Sequence, residues 1–133
     1  MNGAEAEQFV RQIFNAWRGC QAVKQALRVG DKGTRHEFDI YQHNGIIGGI
    51  STSPWIVGNN SSNTGGRDRA AAELLWLTLW PGQENRVHVL TDRKMAEGIF
   101  NRFKGCPFPH AIEIIHCDIH SQRFEAIGKL GND

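Results

Sequence analysis

Between His36 and Trp55 the chain reads HEFDIYQHNGIIGGISTSPW, and the Asn44-Gly45 pair at its middle leaves few ways to fold. Ahead of it, Phe38 and Ile40 alternate with Glu37, Asp39 and Tyr41, the period-two pattern of a half-buried strand. Asn-Gly supplies the positive φ values that a tight hairpin turn demands, so residues 46–53 return as the partner strand. Two strands alone bury too little to be stable, so neighbouring segments must extend or cover the hairpin.

Those neighbours are legible to different degrees. Phe9, Val10, Ile13, Phe14 and Trp17 recur with helical spacing, which predicts an amphipathic helix over about 4–18, closed near Gly19. In CQAVKQALRVG, Val23, Gln25, Leu27 and Val29 alternate as in a strand, although Ala22, Val23, Ala26 and Leu27 would also serve a helix. The nearby hairpin favours the strand. VGNNSSNTGG, 57–66, reads as a flexible loop. RDRAAAELLWLTLW, 67–80, reads as a helix apolar on nearly every face, and so buried on more than one side. RVHVLTD, 86–92, is a strand, RKMAEGIFNRFKG, 93–105, an amphipathic helix, and AIEIIHCD, 111–118, another strand. The tail to Asp133 is expected to fray. The strand–helix–strand unit favours parallel pairing, so the expectation is a single α/β domain, 1–133, with a mixed sheet flanked by helices.

Composition narrows the function classes. A net charge of +1 gives no bulk signature of nucleic-acid binding, so any basic patch must come from local clustering. Cys20, Cys106 and Cys117 are odd in number and lack CxxC spacing, which argues against a disulfide framework and fits a reducing cytoplasm. No signal peptide is expected at the N-terminus, and no apolar run is long enough to cross a membrane.

Few residues are candidates for chemistry. Asp39 is a hard oxygen donor suited to a divalent cation, although alternation alone favours a solvent-facing acid. Glu73 lies inside AAAELLWL, where a buried carboxylate needs a partner, and Arg69 one turn earlier is the expected one. Alternatively, Glu73 points at the acidic hairpin and shares a cation with Asp39. Arg67 and Arg69 at that helix's start could hold a phosphate. Asp92 reads as a helix N-cap at the end of a strand. The spacing of Cys106, His110, His116, Cys117 and His120 fits no zinc motif. Trp55, beside Pro54, is the tryptophan expected to be exposed, where it could stack a base.

The order of elements resembles that of the PD-(D/E)xK superfamily, the restriction endonuclease-like fold, over roughly residues 5–118. EFDIY looks like the strand whose Asp binds Mg²⁺, RDRAAAELLWL like the helix after the catalytic hairpin, and RVHVLTDRKM like the next strand and turn. The resemblance implies an α-β-β-β-α-β-α-β core and a nucleic-acid-directed protein, with Asp39 as the metal-binding Asp and Glu7 as an auxiliary acid. The (D/E)xK triplet falls at Gly49-Ile50-Ser51, which has neither the second carboxylate nor the lysine. Some members carry the second acid or the cation on the following helix, where Glu73, Arg67 and Arg69 stand. The implied activity is a Mg²⁺-dependent nuclease using Asp39 and Glu73. The competing expectation is a catalytically silent binding or assembly module.

Hairpin register tests the resemblance. A two-residue turn pairs Asp39 with Ile50, whereas a three-residue turn, His43 to Gly45, pairs it with Gly49, the position of the family's acid. A second resemblance, to ribonuclease H-like proteins, would use Asp39, Glu73 and Asp92. An apolar sheet edge would also make a homodimer unsurprising.

Overall fold

A computed structural model describes residues 1–131. The chain is an α/β protein with a mixed six-stranded sheet flanked by helices. The described residues run α1 (Gly3–Arg18), β1 (Val23–Arg28), β2 (Arg35–Gln42), β3 (Ile46–Ser51), β4 (Ile56–Val57), β5 (Ser61–Ser62), α2 (Thr64–Leu79), β6 (Asn85–Leu90), α3 (Arg93–Phe103), β7 (Ile112–Asp118) and β8 (Arg123–Leu130). The main sheet has the order β1-β2-β3-β6-β7-β8. Its inner pairs, β3–β6 and β6–β7, are parallel, and the outer pairs are antiparallel. No helix among the described residues is long and apolar enough to cross a membrane.

Each helix has a local reason to start where it does. Asn2 and Glu5 form a reciprocal capping box on α1, which ends at Gly19 in the left-handed conformation (φ 70°). Asn63 caps α2 and Asp92 caps α3. Ala6, Val10 and Phe14 of α1 bury against Ile40, Ile50, Val87, Val89 and Ile115 on one face of the sheet. Ala70, Leu74 and Leu77 of α2, with Met95, Ala96 and Ile99 of α3, cover Phe38, Ile47, Leu90 and Ile114 on the other.

Residues 20–29 contain a strand, as the hairpin's proximity favoured. Four expectations are corrected. The positive φ of the hairpin belongs to Asn44 (60°) alone, Gly45 being in an ordinary conformation. The segment 57–66 is a small ladder rather than an open loop. In it β4 pairs with β5 around one 3-10 turn, and α2 begins at Thr64. One stripe of α2, through Gly66, Ala70, Leu74 and Leu77, is buried, while Leu75 and Leu79 are 56% and 50% exposed. The tail does not fray through Leu130, because β8 pairs with β7 along Ile112–Asp118. A bulge at Ile127 had broken its alternation: Phe124 packs into the α1-side core and Leu130 into the other.

Candidate functional site

The last hairpin pair, Gln42 with Ile46, leaves a three-residue turn, and Ile40 faces Gly48. One further step would set Asp39 against Gly49, but the ladder stops there. On the other side of β2, Val23 faces Tyr41 while Gln25 faces Phe38, so two residues, Asp39 and Ile40, oppose Lys24 alone. Asp39 is thus part of a bulge, which explains why Phe38 and Ile40, two apart, bury on opposite faces of the sheet. The Ile50 N–H, with no ladder partner in β2, donates to Asp39 Oδ2 at 2.8 Å. From α1, Arg11 Nη1 donates to the Asp39 carbonyl at 3.2 Å. The carboxylate is therefore held in the seam between β2 and β3 and is not the solvent-facing acid that alternation favoured.

Glu73 reaches the same place from α2. A Cβ built on Gly49 would fall on the Glu73 side chain, within 2.6 Å of Cδ and Oε1. The Glu73 carboxylate thus occupies the space that a residue-49 side chain would fill. The expected Glu73–Arg69 ion pair does not form among the described residues. Instead His36 Nε2 lies 3.1 Å from Glu73 Oε2, with its ring stacked on Trp76 at 4.5 Å. Burial lowers the His36 pKa, so this contact joins two groups that both favour neutrality.

Glu7 of α1 completes the group. Its charge raises the proton affinity of Asp39, and Lys24 Nζ lies 3.4 Å from Glu7 Oε1. Like charges converging out of water raise one another's proton affinity. Burial, then Asp39 and Glu7, push the Glu73 pKa up to about 8. Burial likewise pushes Asp39 up to about 7, against the opposing pull of the Ile50 N–H.

Of these groups Glu7 and Glu73 border a cleft of about 190 Å³ between α1, the end of β3 and the first turns of α2, and Asp39 is not among its lining residues. Its rim carries donors: Ser51, Thr52, Ser53 and Arg69, with Arg69 Nη2 3.3 Å from Ser53 Oγ. Arg67 is turned away. Its Nε and Nη2 both donate to the Trp55 carbonyl, at 3.0 and 2.8 Å, and its guanidinium lies 3.5 Å over the Trp55 ring. That stacking, with close approach to Gly98, corrects the expectation of an exposed Trp55. Asp92 is engaged as an N-cap, accepting from Met95 N at 3.0 Å and Trp55 N at 2.9 Å. Strand β3 separates it from the strand carrying Asp39.

The residues themselves single out Asp39, Glu73 and Arg69, and the resemblance adds Glu7, but neither points to His36, Lys24 or His88. Lys24 sits exposed on β1 and His36 half-buried near the start of β2, positions where composition gives no signal. His88 sits in an apolar strand, where a lone polar residue was the available clue.

Among the described residues no three His, Cys, Asp or Glu side chains form a ready-made metal cage. Magnesium needs less, because it takes one or two carboxylates and completes its shell with water and substrate oxygens. Asp39 and Glu73 fit that demand: both are hard oxygen donors, and a cation would offset the burial and the neighbouring acid charge that now favour their protonated forms. No protein-family model, curated protein or solved structure matched the chain in comparison.

Proposed function

We propose that this chain is a nucleic-acid-directed protein of restriction endonuclease-like architecture, a Mg²⁺-dependent nuclease whose second acid has moved from β3 to Glu73 of α2. One observation carries the reading. The β2–β3 ladder ends one step short of Gly49, the Asp39 carboxylate accepts from the next N–H, that of Ile50, and the Glu73 side chain fills the space above Gly49. A divalent cation at these two carboxylates would neutralise phosphoryl charge and lower the pKa of a bound water.

The chain's own groups have separable tasks. Asp39 and Glu73 hold the cation, and Ile50 and Arg11 fix Asp39 at its bulge. His36, stacked on Trp76, fixes the Glu73 carboxyl. Arg69 stands at the rim, where a phosphate oxygen would approach. Because both acids hold protons near neutrality, cation binding must displace them, and activity is expected to rise from pH 6 to pH 8.

The test is cleavage of single- and double-stranded DNA and of RNA with Mg²⁺ or Mn²⁺, comparing wild type with Asp39→Asn and Glu73→Gln. Each variant is expected to lose about a hundredfold or more in rate. Absence of metal-dependent cleavage by the wild type would leave the second reading, a silent binding module of the same fold. The missing lysine of the triplet favours that alternative. Cleavage retained by both variants would remove these residues from the site.

A further inference from the structure

Ser51 occupies the third place of the Gly49-Ile50-Ser51 triplet, where the resembled family has lysine, and it borders the acid cleft. Among the described residues its hydroxyl has one partner, His88 Nε2 at 2.8 Å. His88 is wholly buried in the middle of the sheet, and its Nδ1 has no hydrogen-bond partner among the described residues. These facts together fix where the protons are.

Burial drives the His88 pKa down to about 3, so the ring is neutral and carries one N–H. Were that proton on Nδ1, a buried donor would be left without an acceptor, which is more costly than an unpaired lone pair. The proton therefore belongs on Nε2, which donates to Ser51 Oγ. The Ser51 proton is then free of His88 and available to the cleft. With its proton on Nε2, His88 turns a donor rather than a lone pair to Ser51 and is not set up to deprotonate it.

We propose that Ser51, positioned by the Nε2–H of His88, is the hydrogen-bond donor of the cleft to an anionic phosphoryl oxygen, standing in for the absent lysine. This rests on the reading of the cleft as a phosphodiester site and names the residue that would grip the phosphate there. Arg69 and Ser53 extend the same donor rim. Glu7 and Glu73 line one cleft with these donors, and a hydroxyl donor there would stabilise phosphoryl charge.

Nitrogen NMR on the full chain with ¹⁵N-labelled histidine tests the first half without any ligand. Between pH 5 and 8, His88 should hold its proton on Nε2, and Ser51→Ala should shift that resonance. A proton on Nδ1, or a charged ring, would overturn the proposal. Inorganic phosphate, titrated with and without Mg²⁺, tests the second half through the Ser51 amide. Wild type should bind it, Ser51→Ala about tenfold or more weakly, and Ser51→Thr nearly as wild type. His88→Gln, whose side-chain amide N–H can also donate to Ser51, should retain most of the affinity, whereas His88→Leu should lose it with the fold intact by circular dichroism. No binding by the wild type, or equal binding by wild type and Ser51→Ala, would refute the role of Ser51. A chain that binds phosphate through Ser51 yet cleaves no nucleic acid would sink the nuclease reading and leave this one standing.

Discussion

Two ends of one sheet bury carboxylates and treat them in opposite ways. Just before β6, Glu84 is only 4% exposed, yet each oxygen has a donor: Trp80 Nε1 at 2.8 Å and Asn44 N at 2.9 Å. Burial would raise its pKa, but these donors hold it below the usual carboxylate value. Nearby, the buried Arg86 guanidinium donates to the carbonyls of Leu77, Trp80, Gly82 and Glu84. At the far end of β3, burial and nearby acid charge raise the proton affinity of Asp39 and Glu73. A satisfied buried acid closes a turn, whereas acids left short of positive charge advertise room for a cation.

Removing each acid should separate the two ends most sharply. Glu84→Ala leaves the Trp80 and Asn44 donors buried without an acceptor and should cost about 3 kcal/mol by chemical denaturation. Glu73→Gln puts a neutral amide in place of a carboxyl that already favours its neutral form and should leave stability near neutral pH unchanged or improved while lowering cleavage about a hundredfold or more. Equal destabilisation by the two variants would erase the distinction.

The next effect is on pH dependence. Asp39 and Glu73 have folded pKa values of about 7 and about 8, above their ordinary values, so the folded state holds protons that the unfolded chain has released. Stability must therefore fall as pH rises through that window. His88, driven down to about 3, acts in the opposite direction, but only below its ordinary value of 6.5. Between pH 6.5 and 8 the acids act unopposed by it, and the loss should be about 2 kcal/mol in denaturant melts. Glu73→Gln should flatten this slope, and Glu84→Gln should not.

Smaller effects probe the geometry that brings the acids together. Gly49→Ala puts a Cβ on the Glu73 side chain, and should cost about 1–2 kcal/mol and depress cation binding as the carboxyl is displaced. Asp39→Ala orphans the Ile50 N–H and should cost about 1 kcal/mol, which Asp39→Asn restores because its amide oxygen still accepts.

Much of this arrangement was legible in the chain, and what was hidden has physical causes. Helices α1 and α3 declared themselves through their period, α3 also through its Asp92 cap, and Asp39 was singled out by its place ahead of an Asn-Gly turn. The bulge at Asp39 was hidden because Phe38 and Ile40 look like one face of a regular strand while serving two cores. The strand β8 escaped for the same reason, its alternation reset at Ile127. Arg69 looked like the partner of Glu73 by helical spacing alone. The actual partner, His36, comes from a strand 37 residues away, and local periodicity carries no such contact.

The most direct measurement is a Mn²⁺ titration of the ¹⁵N-labelled full chain at pH 8, followed by paramagnetic broadening of backbone amides. A cation held by Asp39 and Glu73 should first broaden the amides of Gly49, Ile50 and Glu73, while those around Glu84 stay sharp. Asp39→Asn and Glu73→Gln should each abolish that pattern. Broadening centred elsewhere, or unchanged in both variants, would contradict a cation site built on the relocated acid.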